Sequence, residues 1–228
     1  MKIITRCHQC GPGEEAALLE VGNKNPHQVI CEKGHKWPLV ITQHKHEILF
    51  EVAAHAIIDG YYREAVSSFA ESLERYYEFF IKVISVVLPG DVFEKGWKQI
   101  YSQSERQLGA YIFTYISICH KLPETLPQPL TTLRNNVIHK GYIPSRAEAI
   151  KLGEVVAKII NNGCNLLRRS KRVELNEIIR QNICPNNSSD YPTLTLRSYL
   201  KCLTESAPIP LEDHLKSVQT HNKPRFNE

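Results

Sequence analysis

From His46 onward apolar residues recur at the three- and four-residue intervals of an α-helix, and before it they do not. Ile48, Leu49, Val52, Ala53, Ala56 and Ile57 form one stripe, which Gly60 interrupts. A longer stripe follows through Ala65, Phe69, Leu73, Tyr76, Phe80, Val83 and Val87 until Pro89-Gly90 stops it. The spacing predicts a third helical region over Gln99 to His120, with Cys119 in its core-facing set. Leu122 to Pro129, with three prolines, is a connector. Beyond it Leu133, Val137 and Ile138 mark a short helix that Thr131 or Thr132 is placed to cap and Gly141 to end. Ser145-Arg146-Ala147-Glu148 has capping-box spacing and opens a returning helix through Ile150, Val155, Val156, Ile159, Ile160, Leu166 and Leu167. Val173 to Ile183 reads as its continuation, stopped at Cys184-Pro185-Asn186-Asn187.

The first part of the chain has a different texture. Ala16 to Val21, Gln28 to Ile30 and Trp37 to Thr42 read as short strands, the first two flanking the turn Gly22-Asn23-Lys24-Asn25-Pro26. Cys7-His8-Gln9-Cys10-Gly11 is a C-x-x-C-G knuckle, and Cys31-Glu32-Lys33-Gly34-His35 supplies a second tight pair. Two such knuckles suit a tetrahedral zinc ion, and the segment resembles a small zinc ribbon with Cys7, Cys10, Cys31 and His35 as ligands. A piece this short with few large apolar residues needs such a staple to fold. The competing reading is that these are ordinary buried or free cysteines; His8, His27 and His44 are less well spaced as ligands. With all four positions filled by protein, the zinc is structural, and a zinc hydrolase is disfavoured.

The composition of the 228-residue chain changes this picture little. Apolar residues make up 42% and charged residues 23%, ordinary values for a globular protein, and the net charge of +4 leans only mildly toward anionic partners. Seven cysteines, an odd number with three in the first 31 residues and His35 close behind, point to metal binding in a reducing compartment over a secreted disulfide framework. No signal pattern follows Met1 and no apolar run is long enough to span a bilayer, so the expectation is a soluble, cytoplasmic protein without membrane contact. There is no internal repeat and no phosphate-binding glycine loop. The basic run Arg168-Arg169-Ser170-Lys171-Arg172 can touch an RNA backbone, but reads more simply as an exposed joint between helical stretches. The expected layout is a ribbon module over 1–43, a helical domain over 44–183 and a partly disordered extension over 184–228, polar and proline-bearing from Thr204 onward. Within that extension, Tyr191 to Leu203 is an accessory element.

Leu133 to Gly141 carries the most chemistry. Asn135 and His139 are four apart and share a helix face, whereas Arg134 points away and meets His139 only by its length or from a second molecule. On the long second helix Glu71 and Arg75 are spaced to pair with each other, or to face His139.

An Arg-Asn-x-x-x-His-x-Gly sequence at a helix end inside a body of long amphipathic helices resembles the HEPN superfamily, whose motif is Arg, four to six residues, then His. The resemblance covers residues 46 to 183, and Glu71 with Arg75 resembles a Glu-x-x-x-Lys/Arg pair of some members. It implies a mainly α fold, a HEPN-like helical bundle preceded by the small β zinc ribbon. It also implies a metal-independent endoribonuclease, a toxin or phage-defence effector, with RNA as substrate and an antitoxin or defence-system protein as a further partner. The active form would be a homodimer in which Arg134, Asn135 and His139, supported by Glu71, Arg75 and Lys140, build composite sites. The alternative is a non-catalytic HEPN module that binds RNA, nucleotide or protein.

Overall fold

The computed structural model describes residues 2–7, 9–10, 16–183, 191–196, 198–200 and 209–221. The chain is mainly helical, with small sheets and a cysteine-rich first segment, and it divides into two compact units. One joins Met1–His44 to Asn176–Arg197; the other joins Lys45–Leu175 to Ser198–Glu228.

In the first unit β1 (Lys2–Arg6) pairs antiparallel with β2 (Ala16–Glu20), and β3 (His27–Ile30) with β4 (Lys36–Ile41). Along β3 the side chains alternate, His27 and Val29 inward and Gln28 and Ile30 outward, which is the period of a strand with one buried face. A short strand, β5 (Thr193–Leu194), adds to β4 in parallel, with Val40 opposite Thr193. Side-chain amides close the unit. Asn25 Nδ2 donates to the Ile41 carbonyl at 2.9 Å while Asn25 Oδ1 accepts from the Ile41 N–H at 3.0 Å, imitating a strand partner. Gln43 does the same for Leu196, with bonds of 3.0 and 2.9 Å.

The second unit is built around α2 (Tyr62–Ile84), against which α1 (Lys45–Ile58), α4 (Ser104–Cys119), α5 (Gln128–Lys140) and α6 (Arg146–Ser170) pack. A short α3 (Gly90–Trp97) precedes α4, and α7 (Arg172–Ile183) begins in this unit and ends in the other. Phe50, Phe69, Tyr76, Phe80, Leu152, Ile160 and Leu167 are fully buried and form the core. Tyr77 stacks on Tyr111 with ring centroids 4.5 Å apart, and Phe80 meets Tyr111 edge-on at 5.1 Å, which fixes α4 to α2. A methyl group at Gly163 would overlap the Tyr76 hydroxyl, so the absent side chain there is what lets α6 approach α2.

Helix ends follow the sequence signals in part. Ser145 and Glu148 form the expected capping box, with the Ser145 N–H donating to Glu148 Oε2 at 2.8 Å and the Glu148 N–H to Ser145 Oγ at 3.3 Å. Neither Thr131 nor Thr132 caps α5; the helix starts at Gln128 after Pro127, with Pro129 in its first turn, where a missing N–H costs no helical bond, and Thr131 Oγ1 donates back to the Leu126 and Pro127 carbonyls. The basic run lies at the joint of α6 and α7, where Arg168 bonds Asn165 and Lys171 pairs with Glu174.

The C-terminal extension, expected to be partly disordered, carries two ordered elements among its described residues. It contributes β5 to one unit and α8 (Leu211–His221) to the other. Leu211, Leu215 and Val218 lie on one helical face and are buried, and His214 Nε2 sits 3.0 Å from the buried Glu51 carboxylate on α1. Glu51 also accepts from the Tyr199 N–H at 2.5 Å. The stop expected at Cys184 to Asn187 lies outside the described residues, as do His8 and Gly11. Cys164, buried in α6, takes part in a disulfide, whereas Cys7, Cys10, Cys31 and Cys119 are free thiols. No helix among the described residues is long and apolar enough to cross a membrane.

Candidate functional site

Among the described residues two clusters carry chemistry, one in each unit. In the first, Cys7 directly follows β1, Cys10 sits in the turn after it, Cys31 follows β3 and His35 precedes β4, so two turns present four ligand atoms to one point. The second turn is tight: the Gly34 N–H donates to the Cys31 carbonyl at 2.9 Å, the Cys31 N–H to the His35 carbonyl at 3.1 Å, and Gly34 has φ +84°.

The four ligand atoms lie within 4.8 Å of one another. A tetrahedral ion with metal–sulfur bonds of ~2.3 Å and metal–nitrogen bonds of ~2.0–2.1 Å requires edges of ~3.8 Å between sulfurs and ~3.6 Å between sulfur and nitrogen. The Cys10–Cys31 sulfurs are 3.8 Å apart, and His35 Nδ1 lies 3.6, 3.2 and 3.6 Å from Cys7, Cys10 and Cys31. The cluster therefore fits one metal ion held by three sulfurs and one ring nitrogen. Without a cation, desolvation and hydrogen bonding with Cys7 and Cys31 push the Cys10 thiol up to about 12; a bound cation reverses that preference by stabilising the thiolates. Of the competing histidines, His27 bonds the Gly22 backbone through Nε2 and is outside the cluster.

The second cluster is a groove of about 550 Å³ in the helical unit. Its lining includes Arg134, Asn135, His139 and Lys140 from α5, Ala70, Leu73, Glu74 and Tyr77 from α2, and Leu152 and Val156 from α6. The turn before α4 adds Ser102 and Gln103, and the start of α4 adds Ser104, Glu105 and Leu108. The three expected residues Arg134, Asn135 and His139 thus border one groove within one chain. Gly141, with φ +69°, ends α5 directly beyond Lys140 and leaves His139 exposed in the last turn.

The arginine is held. Arg134 Nη2 lies 2.6 Å from Glu74 Oε1, and Nη1 donates to Asn135 Oδ1 at 3.1 Å. Asn135 therefore orients the guanidinium, whereas among the described residues none hydrogen-bonds the His139 ring. Burial raises the Tyr77 hydroxyl pKa well above its ordinary range, with Tyr111 and Glu74 adding to the effect and Arg134 opposing it.

The expected supporting pair is corrected. Glu71 and Arg75 do not pair and do not line the groove; Arg75 bonds Glu78 at 2.7 Å and Gln107 at 3.4 Å, because the turn to Glu78 offers a closer carboxylate. Glu74 is the groove residue that spacing within the helix alone passed over. Its signal was its place in the stripe Ala70, Leu73, Glu74, Tyr77, which shares one face of α2.

No protein-family model, no curated protein and no solved structure matches this chain, so what it does is argued from the two clusters themselves.

Proposed function

We propose that the chain is a metal-independent endoribonuclease of HEPN type, acting as a toxin or phage-defence effector. The observation that supports this reading is that Arg134, Asn135, His139 and Lys140 line one groove. A histidine with a reference pKa of ~6.5 is suited to proton transfer at neutral pH, and a guanidinium is suited to a phosphate. His139 accepts the proton of the ribose 2′-hydroxyl, the 2′-oxygen attacks phosphorus, and the bond to the 5′-oxygen breaks. The departing oxygen takes a proton from the imidazolium or from solvent. The products are a 2′,3′-cyclic phosphate and a 5′-hydroxyl. Arg134 stabilises the charge gathered on the phosphoryl oxygens, and Asn135 fixes its direction.

Two further elements belong to this reading. The ion at Cys7, Cys10, Cys31 and His35 is zinc in a structural role, since four protein ligands complete a tetrahedron. The active assembly is a homodimer joining two grooves, and an antitoxin or defence-system protein is its regulator.

A second reading rests on the Glu74–Arg134 pair. A carboxylate at 2.6 Å offsets the arginine's charge, as suits a HEPN-like module that binds RNA, nucleotide or protein without cutting. Incubating the purified protein with RNA and with DNA in EDTA, with retained zinc measured in parallel, separates the two. The enzyme yields RNA fragments with 2′,3′-cyclic ends and leaves DNA intact; the binding module retains RNA without fragmenting it.

A further inference from the structure

Helix α4 is covered on one face only. Gln107 and Tyr111 are its buried positions, and Tyr111 meets Tyr77 and Phe80 of α2. Across the helix from them Arg106, Gly109, Ala110, Phe113 and Ser117 follow one another at intervals that keep a row on a single side. Phe113 stands out from this row, 75% exposed. One such ring on a surface is ordinary. The residue one turn before it is not.

Glycine is the poorest helix former after proline, so a glycine in the middle of a helix calls for a neighbour that needs the space. In α6 that neighbour is present: a methyl group at Gly153 would overlap Phe69 and Leu211, and one at Gly163 would overlap Tyr76. Among the described residues a methyl group at Gly109 would touch nothing. No packing within the chain accounts for the missing side chain, which leaves a notch on the outer face of α4 one turn from the protruding ring. Knob and notch on one strip are self-complementary. When two such helices lie antiparallel about a two-fold axis level with Tyr111, Phe113 of each copy comes opposite Gly109 of the other, the reciprocal contact of an isologous pair. The small side at Gly109 and Ala110 lets the two helices approach closely, since interaxial distance is set by the residues at the contact.

We propose that α4 pairs with α4 of a second copy through this face, each Phe113 filling the other's notch at Gly109. This names the surface of the homodimer in the proposed function and rests on that part of the reading. One helix pair buries less than the roughly 800 Å² per partner of a standard interface, so the association is weak, in the micromolar range. Sedimentation velocity over a micromolar concentration series follows the parent, Phe113→Asp and Gly109→Leu proteins. The parent passes from monomer to dimer, and each substitution raises the dissociation constant by about tenfold or more, the scale of a central interface contact. Gly109→Ala checks folding separately: in dilute, monomeric protein its thermal midpoint equals or exceeds the parent's, because alanine suits the helix and meets no atom there. A lower midpoint would show that the glycine serves the chain's own packing and overturns the proposal. A dimer that survives both Phe113→Asp and Gly109→Leu overturns the α4 face and leaves the homodimer standing. A parent protein that stays monomeric throughout overturns both.

Discussion

Glu74 Oε1 on α2 lies 2.6 Å from Arg134 Nη2 on α5, each side chain less than a quarter exposed, so the groove's central cation carries its own counter-ion. Under the proposed RNA chemistry an incoming phosphate would share or displace that carboxylate. The pair therefore does two opposing things: it aims the guanidinium, together with Asn135, and it lowers the positive potential that any anion would meet.

Glu74→Gln separates these effects. Removing one charge at this separation at a partly solvated site is worth about 1 kcal/mol, a factor of roughly five in anion affinity. RNA binding measured in the His139→Ala background tightens by that factor, whereas turnover in the Glu74→Gln single variant falls because the guanidinium loses its anchor. Weaker binding would mean that aiming outweighs counter-charge even in the ground state.

The metal centre gives a sharper result. Elemental analysis of protein purified without chelators finds one zinc per chain, and Cys10→Ser loses most of it. Because the ligands are brought together only by the fold, the loss appears as a lower thermal midpoint and as earlier proteolysis within the first unit. A Cys10→Ser protein that keeps its zinc excludes this ligand set.

Gly163→Ala tests the helix packing beneath the groove. A methyl group there overlaps the Tyr76 hydroxyl, so the variant is destabilised by about 1–3 kcal/mol in urea unfolding. Tyr76→Phe removes the oxygen first met and recovers part of the loss in the double variant; strictly additive losses would show that the two sites do not touch.

The capping box at α6 sets a pH dependence. Hydrogen bonds from the Ser145 N–H and hydroxyl hold the Glu148 carboxyl below the usual carboxylate range. A depressed folded-state pKa stabilises the fold above the unfolded value of ~4.3, and that contribution is lost as pH falls through the folded value. The stability difference between the parent protein and Glu148→Gln is therefore present at pH 7 and shrinks below about pH 4. A difference that persists undiminished in acid removes the carboxylate from the cap.

What the sequence makes legible here is local. Pro127 and Gly141 bracket α5, Ser145 and Glu148 open α6, and the two knuckles place Cys7, Cys10, Cys31 and His35, because each signal is set by residues a few positions apart. The Glu74–Arg134 pair spans 60 positions, and no local spacing encodes it. Glu71 and Arg75 show the converse: their separation permits a pair, yet Glu78 and Gln107 take the guanidinium. Composition misleads at α8, where Leu211, Leu215 and Val218 bury a face inside a segment whose other positions are polar. Strand β1 goes unread in the sequence because five residues, paired only with β2, carry too short an alternation to stand out.

The central claim is that His139 moves the proton in RNA cleavage, and the most direct measurement compares parent and His139→Ala protein, at equal concentration and equal zinc content, on one end-labelled RNA in EDTA. The account predicts fragments ending in 2′,3′-cyclic phosphate from the parent protein and a loss of at least a hundredfold in rate for the variant, the usual scale of general acid–base catalysis. Equal rates for the two proteins, or no cleavage by either, would contradict it.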